Sequence, residues 1–157
     1  MDRLKGKVAI ITGGNSGVGE ATAKMFAKEG ATVVITARRE AALEKVAEEI
    51  KAAGGEVFAV STDISKKGDP ERLMDLVIEK YGKVDILVNN AGILEEGLKP
   101  IDRFSDEDLD RIIETNEKGT MRCMRAASQK MQAGASIVNV ASIAGVKRMW
   151  RSCLCSI

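Results

Sequence analysis

At 157 residues, 45% of them hydrophobic and 30% charged, the chain has the composition of one ordinary globular domain rather than a disordered or fibrous protein. Its 24 Lys and Arg stand against 23 Asp and Glu, a net charge of +1, which offers no electrostatic footprint for nucleic acid or an anionic membrane; aromatic residues, at 3%, supply no stacking platform for bases. There is no histidine, which removes Ser-His-Asp and Cys-His catalysis, histidine-ligated zinc and any histidine pH switch, and no metal site is expected.

Cys123, Cys153 and Cys155 are an odd set and do not read as a disulfide framework. No apolar run approaches the roughly 18 residues of a membrane span. The first apolar run breaks at Gly13 and Gly14 without a signal-peptide cleavage pattern, so a cytoplasmic protein is expected.

In chain order, short β-branched runs alternate with longer segments of helical periodicity. The runs are Val8–Ile11, Thr32–Ile35, Val57–Val60, Ile86–Val88 and Ile137–Val140, and their lack of polar alternation suits strands buried on both faces. Between them helices are predicted over 17–29, 40–53, 70–82 and 106–132. In the second, Ala42, Leu43, Val46, Ala47 and Ile50 form one stripe and Glu44, Lys45, Glu48, Glu49 and Lys51 the other side. Gly30 and Gly54-Gly55 fall at expected helix ends, and Pro70 at a first turn. This repetition predicts a doubly wound, Rossmann-like α/β domain with a parallel sheet, in which five βα units are present. Residues 147–157 fit neither pattern. Met121, Met124 and Met131, at helical spacing, read as core or interface filler.

The first run leads into Thr12-Gly13-Gly14-Asn15-Ser16-Gly17-Val18-Gly19, which opens the first helix. A helix N-terminus carries unpaired N–H groups and the positive end of the helix dipole, so a glycine-rich turn there suits a pyrophosphate; the other reading is a purely structural turn.

Glycines at 13, 17 and 19 give T-G-x-x-x-G-x-G, and further motifs follow: Asp63 with Ile64 after the third run, Asn89-Asn90-Ala91-Gly92 after the fourth, Asn116 in the long helix and Ser142 after the fifth. Over about residues 4–146 this ordered set resembles the short-chain dehydrogenase/reductase family. The resemblance implies that Gly13, Asn15, Ser16, Gly17, Val18 and Gly19 hold the cofactor pyrophosphate and that Asp63 and Ile64 meet its adenine. It implies that Asn90, Ala91 and Gly92 line the nicotinamide side, that Asn116 is the active-site asparagine and that Ser142 is the catalytic serine. Read without it, Asp63 caps a turn, Asn116 satisfies backbone groups and Ser142 ends a strand.

The end of the second run, Thr36-Ala37-Arg38-Arg39, carries no carboxylate for a ribose 2′-hydroxyl but two guanidiniums, whose donor forks suit a 2′-phosphate. NADP(H) is therefore expected over NAD(H), with Arg38 and Arg39 as its contacts; the alternative is that both are solvated residues entering a helix.

In the family, a serine polarises the carbonyl of a small-molecule ketone or secondary alcohol, a tyrosine gives or takes the proton, and a lysine lowers the tyrosine pKa. Here the one tyrosine, Tyr81, precedes the fourth run, and none follows Ser142. The expectation is an oxidoreductase whose NADP-binding domain, 1–146, is incomplete and inactive as written, followed by an aberrant tail, 147–157, that is disordered or frameshifted. One choice of codons for 148–157, read one base later, gives Gly-Cys-Gly-Gly-Ala-Ala-Tyr-Val-Ala-Ser, which restores a tyrosine in the family's context. A natural short form and a non-catalytic NADP-binding or interaction module are the alternatives. Family members are commonly homodimers or homotetramers; no state is assigned to this chain.

Overall fold

The computed structural model describes residues 2–94 and 100–142; the tail predicted at 147–157 lies outside them. Five strands, β1 (Val8–Thr12), β2 (Thr32–Ala37), β3 (Glu56–Ser61), β4 (Ile86–Asn89) and β5 (Ser136–Asn139), form one parallel sheet in the order β3-β2-β1-β4-β5. Helices α1 (Gly17–Lys28), α2 (Glu40–Ala52) and α3 (Asp69–Tyr81) connect the first four strands. The doubly wound fold expected from the alternating pattern is the one observed.

Strand alternation deals the side chains to two layers. Ala9 and Ile11 of β1 and Val33 and Ile35 of β2 pack under α1 and α2 with Ala23, Leu43, Val46 and Ile50. Val8, Ile10 and Val34 face the other way, onto Leu73, Met74 and Val77 of α3 and onto Cys123, Ala126 and Ala127. Every residue of β1 is buried, as a central strand covered on both faces requires. Helix ends follow local chemistry: Glu40 and Lys51 complement the two ends of the α2 dipole, and Pro70 sits in the first turn of α3.

The helix predicted over 106–132 departs from expectation. It is α4 (Asp106–Ile112), a π-helical segment (Ile113–Gly119) and α5 (Thr120–Ser128). The α4 start is a reciprocal capping box, in which the Asp108 N–H donates to Ser105 Oγ at 3.3 Å and the Ser105 N–H donates to Asp108 Oδ2 at 3.1 Å. The π segment adds residues to the turn where the chain meets the loop after β4, and hydrophobic periodicity does not register such an insertion. The helix stops at Ser128, whose hydroxyl folds back onto the Arg125 carbonyl at 2.9 Å.

The strand at 136–139 is not buried on both faces. β5 pairs only with β4 among the described residues, and Ile137, Val138 and the adjoining Val140 are 39%, 48% and 44% exposed. No helix among the described residues is long and apolar enough to cross a membrane.

Candidate functional site

β1 and β4 are neighbours, yet the chain leaves them toward opposite edges of the sheet, and a crevice opens beyond their C-terminal ends. Thr12, the last residue of β1, organises it. Its hydroxyl accepts from the backbone N–H groups of Asn90 and Ala91, both at 3.0 Å, and donates to the Val88 carbonyl at 3.4 Å. Asn90 returns the contact: its Nδ2 donates to the carbonyls of Thr12, at 3.0 Å, and Gly13, at 3.4 Å. The glycine turn and the segment after β4 are thus stitched together.

Two glycines are required by that closeness. Gly13 has φ +67°, and a Cβ there would come within 2.9 Å of Ala91 Cα and Asn90 Nδ2. A Cβ on Gly19 would collide with the Gly13 carbonyl oxygen. Ser16 is the N-cap of α1 but its side chain makes no capping bond, so the N–H groups of the first turn are left to another acceptor.

A cleft of about 240 Å³ lies over these groups. Of the predicted residues, Gly13, Asn15, Ser16, Arg38, Arg39, Asp63, Ile64, Asn90, Ala91 and Gly92 line it; Gly17, Val18 and Gly19 sit in the first turn of α1 and do not. Arg38 and Arg39 are exposed at the mouth, and neither guanidinium has a partner among the described residues. Asp63 Oδ1 accepts from the Ser65 N–H at 3.1 Å and the Ser65 hydroxyl at 2.6 Å, so that oxygen does hold a turn. Thr36, Thr62, Ile93 and Thr115 also line the cleft and were not anticipated. The Thr36 and Thr62 hydroxyls are buried without a partner among the described residues. In sequence both fall just after the β-branched runs, and that position, at or just past the C-terminal ends of parallel strands, was the available signal.

An adjoining cleft of about 720 Å³ shares Asn90, Ala91, Gly92 and Ile93 and continues to Asn116, Met121, Met124, Asn139, Val140 and Ser142. Asn116 and Ser142 therefore line the same cleft. Asn116 has both amide atoms engaged: Oδ1 accepts from the Ile93 N–H at 2.8 Å and Nδ2 donates to the Ile93 carbonyl at 3.0 Å. Its side chain holds backbone, but across to the loop after β4 rather than within its own helix. Asn89 Nδ2 donates to Asn139 Oδ1 at 2.9 Å and joins the two strand ends beneath. Tyr81 lines neither cleft. It packs edge-on against Phe58 with ring centroids 6.3 Å apart, and burial pushes its phenol pKa up.

The family model for short chain dehydrogenases matches residues 7–154. The chain is 40% identical over 146 residues to an uncharacterized oxidoreductase of Listeria innocua, covering 92% of this chain and 58% of that protein. It is 37% identical over 146 residues to a 3-oxoacyl-[acyl-carrier-protein] reductase of Thermotoga maritima, covering 92% and 58%. The crystal structure of a Burkholderia cenocepacia short chain dehydrogenase in complex with NADP superposes with a TM-score of 0.88 at 33% identity, covering 95% of this chain and 60% of that one. The chain thus spans about three fifths of the length of the relatives it matches. The stitched glycine turn at the switch point, the order of the site residues along the chain and these likenesses agree, and the chain belongs to the short-chain dehydrogenase family.

Proposed function

We propose that the cleft binds NADP(H), and that the protein of which these residues form the cofactor half interconverts a secondary alcohol and a ketone. One observation carries the cofactor reading. β2 is followed by two guanidiniums, Arg38 and Arg39, without partners among the described residues and with no carboxylate in Thr36–Arg39, beside a helix N-terminus whose N-cap side chain makes no capping bond. The residues present fit the group: Ser16, at the N-terminus of α1, makes no capping bond, and the buried Thr36 and Thr62 hydroxyls, without a partner among the described residues, offer polar atoms to the same cleft.

Arg38 and Arg39 would hold the 2′-phosphate, Ser16 and the first turn of α1 the pyrophosphate, and Asn90, Ala91 and Gly92 the nicotinamide side. Bound there, the dinucleotide supplies or accepts a hydride at its nicotinamide ring. Ser142 would hydrogen-bond the substrate carbonyl, and Asn116, through Ile93, keeps the wall between cofactor and substrate in place.

The proton is the missing part. The sequence has one tyrosine, and it lines neither cleft. That observation favours a second reading for the chain of this sequence: cofactor binding without turnover. Titration of nicotinamide fluorescence tests both. NADPH is expected to bind at least about tenfold more tightly than NADH, and Arg38→Ala to remove the preference. Equal affinity for the two cofactors overturns the assignment, and oxidation of NADPH by a panel of ketones overturns the second reading.

A further inference from the structure

One nearly buried cation ties the turn after β3 to the π-helical segment. The Arg122 side chain, in α5, is 11% exposed. Its Nη1 donates to the Ser65 carbonyl at 2.8 Å and its Nη2 to Glu114 Oε1, while Glu114 Oε2 accepts from Lys118 Nζ at 2.9 Å. Ser65 is the same residue whose N–H and hydroxyl both hold Asp63 Oδ1. Gly119 supports the same turn, since a Cβ on it would lie 2.9 Å from Ile64 Cγ1 and 3.1 Å from the Ile64 carbonyl oxygen. Asp63 and Ile64 line the first cleft, as does Thr115, next to Glu114 in the chain; Asn116 then grips Ile93. The π segment is therefore a common base under both walls of the cleft.

We propose that Arg122 is a positioning residue that seats the Asp63–Ile64 turn on the π segment and thereby sets the affinity of the cleft for the adenosine half of NADP(H). The inference rests on the cofactor reading above. Arg122 touches no cleft surface itself and acts through Ser65, whose carbonyl it holds while the N–H and hydroxyl of that residue orient the Asp63 carboxylate. Two donors in a rigid planar fork fix the carbonyl relative to Glu114 in both distance and direction. A lysine ammonium, a single compact charge on a flexible stem, does not reproduce that fork.

The test is calorimetric binding of NADPH and of 2′,5′-ADP to the full chain, its Arg122→Lys variant and its Glu114→Gln variant, with thermal melts alongside. Arg122→Lys is expected to weaken 2′,5′-ADP about tenfold and NADPH by the same factor, because the loss is confined to the adenosine half. Glu114→Gln leaves the bond to Ser65 and weakens both ligands by a smaller common factor; it carries the test if the lysine variant does not fold. Unchanged affinity for 2′,5′-ADP alongside a lowered melting temperature marks a purely structural arginine and overturns the proposal. A larger loss for NADPH than for the fragment overturns it also, since the damage then reaches the nicotinamide side. If the unsubstituted chain binds neither ligand, the cofactor reading falls first and this inference with it.

Discussion

Thr12 shows what one hydroxyl does at the end of a buried strand. It is fully buried and is the acceptor for two consecutive backbone amides from the neighbouring strand end. Thr12→Val keeps the shape and leaves those amides without that acceptor, which is expected to cost about 2 kcal/mol, read from the denaturation midpoint at unchanged slope. Cys123 is the opposite case, a nucleophile made inert. Burial first, and the charge of Glu71 second, push its thiol up to about 12, so almost no thiolate exists at neutral pH. Peptide mapping after alkylation at pH 8 should find Cys123 unmodified in the native chain and modified once denaturant is added. At this scale the sequence was legible where a residue's role is set by its own turn, as for the positive φ of Gly13. Asn116 stood out in the sequence by its motif, but its grip on Ile93, 23 residues away, is a tertiary fact. The Thr36 and Thr62 hydroxyls were missed because a threonine at a strand end looks like any other β-branched residue until its partner atoms are counted.

Among the elements, α3 and α5 lie against each other under the sheet and carry opposite charges to their seam. Arg125 Nη2 of α5 reaches Glu71 Oε1 at 2.6 Å, and just past the end of α5 Lys130 Nζ reaches Asp75 Oδ1 at 2.8 Å. The hydrogen bond from Arg125 holds the Glu71 carboxyl below the usual glutamate range, and those from Lys118 and Arg122 do the same for Glu114. A carboxyl whose folded pKa is depressed lends stability above its unfolded value and loses it as pH falls through the folded one. Stability should therefore be level above about pH 5 and decline as pH drops below about 4. Glu71→Gln should reduce the decline, as seen in urea midpoints measured across that range. The elements themselves were largely legible, because β-branched runs and amphipathic stripes set their type. The π segment was not. An extra residue in a turn shifts the phase of the apolar stripe without breaking it, and only the contacts of Gly119 with Ile64 and of Asn116 with Ile93 show why the turn widens there.

For the molecule as a whole, burial falls off across the sheet. β1 is wholly covered, whereas β5 is exposed along its length and carries Ile137 and Val138 on an edge that has no further strand among the described residues. Met121, 63% exposed, and Val140 add to that apolar surface. An open edge with apolar side chains on it is a template for pairing with another chain. The chain is accordingly expected to associate as its concentration rises, and Val138→Lys to reduce that association in sedimentation velocity runs without changing affinity for NADPH. The apolar run at 137–140 suited a strand buried on both faces, and the exposure of β5 was not legible in it, because burial depends on what packs above β5 rather than on the strand's own residues.

The bonds that Asn90 and Thr12 exchange make the glycine turn and the wall beyond β4 one body. A ligand entering between them meets a slot whose width is already set. Its arrival should leave those amides as protected from hydrogen exchange as before, with new protection appearing only at the uncapped first turn of α1 and around Arg38. Such a slot selects by shape at first encounter instead of closing around whatever it has caught.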